Sequence, residues 1–171
     1  NSETGANLLR LQRYRRCMAT KAAEHPNFSN QITPELIDAL ECCVPLHDIG
    51  TVALPDHLLL KPGRLDSDER LHMQHHTIVG AETLRSMSDH CHSASPFFQV
   101  ALDIVRHHHE HYDGTGYPDG LSRDQIPLSA RIVTICDRYD AIRSRRAYRP
   151  GLPHSTAIQV IQEAAGAQLD P

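Results

Sequence analysis

Apolar residues recur at spacings of three and four through one segment after another of this 171-residue chain, and no useful stretch alternates apolar with polar. A period near 3.6 belongs to helices that bury one face, whereas a half-buried strand needs a period of two. The spacing therefore predicts an all-α fold, a bundle of roughly six to eight helices with little or no sheet. "NLLRLQRYRRCMATKAAEH" carries Leu8, Leu11, Cys17 and Met18 as an apolar face with basic residues between them. "TPELIDALECCVPLHDIG" reads as one helix that ends near the His-Asp pair, with Thr33 as N-cap, Pro34 in the first turn and Leu36, Ile37, Leu40 and Val44 inward. "DSDERLHMQHHTIVGAETLRSM" opens on acidic residues that suit a helix N-terminus, and reads either as one helix or as two meeting near His75. "SPFFQVALDIVRHHHEH" aligns Phe98, Ala101, Leu102 and Val105 behind a Ser-Pro start. "PLSARIVTICDRYDAIRS" and "HSTAIQVIQEAAG" complete the set.

With 40% hydrophobic residues the chain can bury one sizeable core, so a single domain over 1–171 is expected. A net charge of −4, without a basic run, argues against duplex nucleic acid and membrane surfaces as partners. Any phosphate recognition must be local. The cysteines at 17, 42, 43, 91 and 136 form no C-x-x-C pair and are odd in number, which favours a reducing compartment, the cytoplasm. No run of about 18 apolar residues exists and the start lacks a signal-peptide layout, so neither a membrane span nor secretion is expected.

Thirteen histidines are the outlying number in the composition, and they are scattered through mid-chain among aspartates rather than gathered into a tag. Histidine with aspartate and few usable thiols suits a metal bound by nitrogen and oxygen, such as Fe, Mn or Zn. In "LHDIG" the pair His47 and Asp48 lies among apolar neighbours, where an unpartnered carboxylate would be costly. In "HMQHHTIVG" His72 stands within a turn of both His75 and His76, and one or two of the three are ligand candidates. "HHHEHYDGTGYPDG" packs four histidines into residues 107 to 111, and its Glu110 is misplaced for an H-E-x-x-H zinc site. "ICDRYDAIRSRRAYR" sets Asp137 and Asp140 three residues apart on a helix, followed by arginines able to fork onto phosphate oxygens. The loops at 61–65 and 112–127 hold much of the glycine and proline, and long loops on a helical scaffold commonly carry function.

"HDIG", the H-x-x-x-G at 76–80, "HHEHYDGTGYPDGL" at 108–121 and "ARIVTICDRYDAI" at 130–142 together resemble the HD-GYP domain of bacterial signalling proteins, over essentially the whole chain. The resemblance implies an all-helical HD phosphohydrolase that hydrolyses cyclic di-GMP to pGpG or GMP. It implies metal ligation by Glu3, His47, Asp48, His76, His108, His109 and Asp137. Of these, His47 and Asp48 would stand at the reacting centre, with Asp48 bridging two ions. Arg146 and Arg149 fall where that family contacts the dinucleotide, Tyr117 would offer a ring surface, and Asp140 joins the substrate-binding set. His107 and His111 are read as solvated neighbours. The chain is expected to be an output domain cut from a longer signalling protein.

Two positions depart from the family pattern. Asn7 stands where a histidine follows Glu3, and Thr51 replaces the lysine of "HDIGK". An amide oxygen is a poorer donor than imidazole, so two divalent ions (Fe, Mn, Ni or Zn) are expected and a third is left open. Three readings follow: a cyclic di-GMP phosphodiesterase, a sensor that binds the nucleotide without turnover, and an interaction module whose Gly116, Tyr117 and Pro118 turn docks a diguanylate cyclase (GGDEF) domain.

Overall fold

The computed structural model describes residues 2–91, 96–144 and 150–171, apart from the side chains of residues 2–8, 44 and 89–91. Among the described residues, seven α-helices, α1 to α7, run Ser2–Ala23, Pro34–Cys43, Asp56–Leu59, Ser67–Cys91, Pro96–His107, Leu128–Arg143 and His154–Ala164. No strand accompanies them in the described residues, where a lone bridge links Ala165 to Leu169. The all-α expectation holds. Helices α1, α2, α5 and α6 enclose the core, α4 packs on α5, and α7 covers α6.

The core residues include Ala19, Leu40, Ile104, Val105, Val133 and Cys136, at least one from each enclosing helix. On α1 the buried stripe is Leu11, Arg15 and Ala19, with Met18 and Ala22 packed beside it. This stripe differs from the expected face: Cys17 is exposed, and a guanidinium occupies a central inward position. The α2 start is as read, with the Leu36 amide donating to Thr33 Oγ1 at 3.3 Å. Helix α4 is a single 25-residue helix with no break at His75. Its start is a reciprocal cap in which the Glu69 amide donates to Asp66 Oδ1 and the Asp66 amide donates to Glu69 Oε2, both at 2.9 Å.

The segment "VPLHDIG" is not a helix end. Helix α2 stops at Cys43, and two 3₁₀ turns, Val44–Leu46 and Ile49–Ala53, flank His47 and Asp48. That irregular backbone is pressed directly onto α4. A Cβ added to Gly50 would lie 1.9 Å from the His76 carbonyl oxygen, and one added to Gly80 would meet Val105 Cγ1 at 2.7 Å. Both glycines are required by close approach. They let the turn that carries His47 and Asp48 touch the helix that carries His76.

Substitution at the two contacts should differ in cost, because Gly50 meets backbone whereas Gly80 meets chiefly the end of a side chain. Gly50→Ala is expected to lose about 3 kcal/mol or more and Gly80→Ala about 1–2 kcal/mol. Urea unfolding midpoints at unchanged slope measure both; equal losses would show that the backbone contact is not limiting.

Candidate metal centre

Three segments deliver the donors. The turn between the 3₁₀ segments supplies His47 and Asp48, α4 supplies His76, and the turn that follows the end of α5 supplies His108 and His109. One donor atom from each of Asp48, His76, His108 and His109 lies within 4.8 Å of the others. Asp48 Oδ1 is 3.4 Å from His76 Nε2 and 3.5 Å from His108 Nε2. Donors about 3.0–3.4 Å apart are what an ion with bonds near 2.1 Å draws together.

The tautomers are fixed from behind. His76 Nδ1 donates to the Met73 carbonyl at 2.7 Å, and His108 Nδ1 donates to the Ile104 carbonyl at 2.9 Å. Each ring therefore turns an unprotonated Nε2 toward the carboxylate, and both of these atoms are buried without a hydrogen-bond partner. Two lone pairs facing an anion in a buried setting are unfavourable unless a cation lies between them. The donor set fits a divalent ion of the borderline class.

The other carboxylate oxygen faces a different group. Asp48 Oδ2 lies 3.2 Å from His47 Nε2, and that same nitrogen is 3.6 Å from Asp137 Oδ2 on α6. Asp48 thus turns one carboxylate oxygen toward His76 and His108 and the other toward His47. Asp137 Oδ1 is held at 2.5 Å by Arg15, whose side chain is fully buried. With no ion between them, only protonated rings could offset the charge on Asp48: desolvation opposes its ionisation, but hydrogen bonding and charge from His108 and His47 in that charged form outweigh it and hold the carboxyl far below its ordinary range. For His47, desolvation is likewise outweighed, by Asp48 and Asp137, and the imidazole is raised. Desolvation lowers His76, and with His108 and His76 beside it drives His109 down to about 2.

The centre opens into a cleft of about 680 Å³ bordered by Ile49, Thr51, His111, Arg138, Gln168 and Leu169, a size suited to a small-molecule ligand. The Asp48 side chain is 53% exposed toward it. Thr51, where a lysine was expected, turns its hydroxyl back to donate to the Asp48 carbonyl at 2.8 Å.

The glycine-rich loop is built on Glu110, whose sequence position rules out an H-E-x-x-H zinc site but does not reveal this role. Its buried carboxylate accepts from the Asp119 amide at 2.8 Å and the Leu121 amide at 3.1 Å. Gly116 lets the loop close, since a Cβ there would lie 2.2 Å from the His111 nitrogen. His107 is not solvated as expected: its Nε2 is 3.1 Å from Asp119 Oδ2, beside the Arg106 pair to the same carboxylate. His111 borders the cleft with Nδ1 3.0 Å from Thr115 Oγ1. His72 and His75 are exposed, leaving His76 as the inward member of its group.

Tyr117 stacks on His109, with ring centroids 4.8 Å apart and planes 25° from parallel, so one of its faces is already covered. Asp140 is buried and accepts from Arg10 Nε at 3.1 Å and Ser144 Oγ at 3.0 Å, so both oxygens are engaged within the fold. The Glu3 side chain, Arg146 and Arg149 lie outside the described residues.

The model of the HD domain family matches residues 8–171. A cyclic di-GMP phosphodiesterase of Vibrio cholerae is 42% identical over 171 residues, covering 100% of this chain and 35% of the relative. One from Thermotoga maritima is 38% identical over 135 residues, 79% of this chain and 35% of the relative. A 3'3'-cGAMP-specific phosphodiesterase of Vibrio cholerae is 38% identical over 134 residues, 78% of this chain and 24% of the relative. The chain thus spans about a third or less of the length of these relatives.

In metal-free protein the imidazoles should separate on acidification. His47 protonates first, while His109 stays neutral almost to pH 2. The depressed value of His109 destabilises the fold as pH drops below the unfolded value of about 6.5. The raised value of His47 acts oppositely: its contribution is present below about 6.5 and is lost as pH rises through its folded value. Ring-proton NMR titration measures both, and a His109 that titrates near its ordinary value would contradict the desolvated geometry.

Proposed function

The chain belongs to the HD domain family, and on that premise we propose that it is a metal-dependent phosphodiesterase of HD-GYP type that hydrolyses cyclic di-GMP. The observation that carries the reading is the pair of buried, unprotonated Nε2 atoms of His76 and His108 turned on Asp48. The relatives named as cyclic di-GMP phosphodiesterases support the substrate. Asp48, His76, His108 and His109 would hold one ion, and Asp48, His47 and Asp137 a second, with Fe, Mn, Ni and Zn all admissible for such donors. Ions held there supply Lewis acidity and neutralise charge on a phosphodiester during in-line displacement.

The protein's own work is positioning. The carbonyls of Met73 and Ile104 fix two imidazole tautomers, so no ring must reorient during turnover. Asp48 presents its two oxygens to two donor sets and so sets their separation. Arg138 on the cleft wall offers a guanidinium to a phosphate oxygen, held there by a hydrogen bond to Gln168 Oε1. Arg146 and Arg149 are further proposed phosphate partners by resemblance, and the exposed part of Tyr117 a proposed contact for a base. Asp140 clamps Arg10 and also lines the cleft, which keeps it in the proposed substrate-binding set. Among the described residues no helix is long and apolar enough to cross a membrane. The Gly116, Tyr117, Pro118 turn is further proposed as the docking face for a GGDEF domain.

Protein loaded with Mn²⁺ or Fe²⁺ should cleave cyclic di-GMP to pGpG or GMP. Asp48→Asn and His108→Ala should each lower kcat by about 10²–10³-fold, the equivalent of several kcal/mol of charge stabilisation. Chromatographic product analysis, with 3'3'-cGAMP run in parallel, is the measurement. Turnover that survives Asp48→Asn refutes the mechanism, and tight nucleotide binding without turnover under every metal would make the protein a sensor.

A further inference from the structure

A guanidinium is buried beneath the metal centre without a packing reason. Arg15 is 0% exposed and lies on the inward stripe of α1, between Leu11 and Ala19. One of its nitrogens pairs with Asp137 Oδ1 at 2.5 Å, while Nε and Nη1 are buried with no acceptor. Two orphaned donors on a fully desolvated cation are costly, and a buried ion pair is seldom more stable than apolar residues of similar volume. Methionine would fill this position at lower cost to the fold. What the charge does is act on Asp137, and through it on the donors next to Asp137.

Those donors divide unequally. The set of Asp48 Oδ1, His76, His108 and His109 contains one carboxylate oxygen and three imidazoles, and the ion pairs described for Asp48 are with histidines alone. The set of Asp48 Oδ2, His47 and Asp137 has a second carboxylate, but Arg15 already holds one of its oxygens and offsets its charge. Only the width of that carboxylate separates the guanidinium from the other oxygen, 3.6 Å from His47 Nε2. Cation affinity rises with the anionic charge of the ligand set, and a fixed positive charge nearby lowers it through Coulomb repulsion.

We propose that Arg15 is a built-in counter-charge that grades the centre into a tight ion position at Asp48, His76, His108 and His109 and a weak one at Asp48, His47 and Asp137. The second ion is therefore held loosely and loads last, which makes occupancy of the complete centre depend on free metal concentration. This rests on the metal-dependent reading above. Arg15 touches neither substrate nor the ions; it is a positioning residue that works through Asp137.

The test counts ions rather than turnover. Metal-free protein is titrated with Mn²⁺ while free Mn²⁺ is followed by its EPR signal. The unaltered chain should bind one ion tightly and a second at least about tenfold more weakly, the range over which outer partners tune metal affinity. Arg15→Met should tighten the second ion by about tenfold or more and leave the first nearly unchanged, while Arg15→Lys should keep the graded pattern. An Arg15→Met protein whose weak position is unaltered or lost overturns the proposal. Asp137→Asn, which keeps an oxygen for Arg15, should abolish the weak position and spare the tight one. This arm decides the matter if Arg15→Met does not fold, because loss of the tight ion in Asp137→Asn also overturns the proposal. Failure of the unaltered chain to bind Mn²⁺ at all would refute the metal reading itself, an outcome distinct from two positions of equal affinity.

Discussion

Backbone meets backbone where Gly50 lies against the His76 carbonyl and Gly80, and the rest of the centre depends on that contact. A side chain at Gly50 would push the turn off α4 and carry His47 and Asp48 away from His76. Because Asp48 is the acid shared by the two donor sets, a displacement here would dismantle both together. The glycines after His-Asp and after His-x-x-x therefore act on distance rather than on chemistry. Their spacing from the ligands is short enough that the same backbone segment that approaches closely also presents the donor.

The second support is the crossing of α1 and α6. Arg10 and Arg15, five residues apart on α1, reach Asp140 and Asp137, three residues apart on α6. The two pairs are alike in chemistry and different in consequence. Arg10 is 40% exposed and pairs with an acid that also accepts from Ser144, an arrangement of modest stability value. Arg15 is wholly enclosed, so its charge acts at low dielectric on Asp137, the acid beside His47. Helix packing and the electrostatics of the centre are thus set by the same two helices.

Much of this was legible from residue type and spacing. The 3.6 period marks the helices and the Thr33-Pro34 pair the start of α2, but spacing alone leaves His72, His75 and His76 open, and it is the resemblance to the HD-GYP domain that implies His47, Asp48, His76, His108, His109 and Asp137 as one ligand set. The misses share a physical cause. Arg15 and Glu110 are charged residues at buried positions, and sequence reading assigns charges to solvent because that is where most of them lie. His107 was assigned to water for the same reason, although Asp119 receives it. The sequence does not separate the His-Asp turn from a helix end, because Val44 continues the spacing of Leu36, Ile37 and Leu40. Periodicity does not register a change from 3.6 to about 3 residues per turn over so few residues.

Glu110 carries this reasoning one step further. A buried carboxylate next to two candidate ligands would ordinarily be counted as a ligand itself, yet both its oxygens are occupied by amides of the glycine-rich loop. An acid so satisfied has little left to offer an ion, and its charge is spread over backbone dipoles rather than added to the centre. The consequence is a division of labour within "HHE": His108 and His109 face the cleft, and Glu110 faces away and holds the loop. The loop in turn places Tyr117 on the His109 ring, which excludes water from one face of that imidazole and helps keep it neutral. The sequence "GYP" thus bears on the metal centre through a stacked ring and a buried acid, without supplying a ligand of its own.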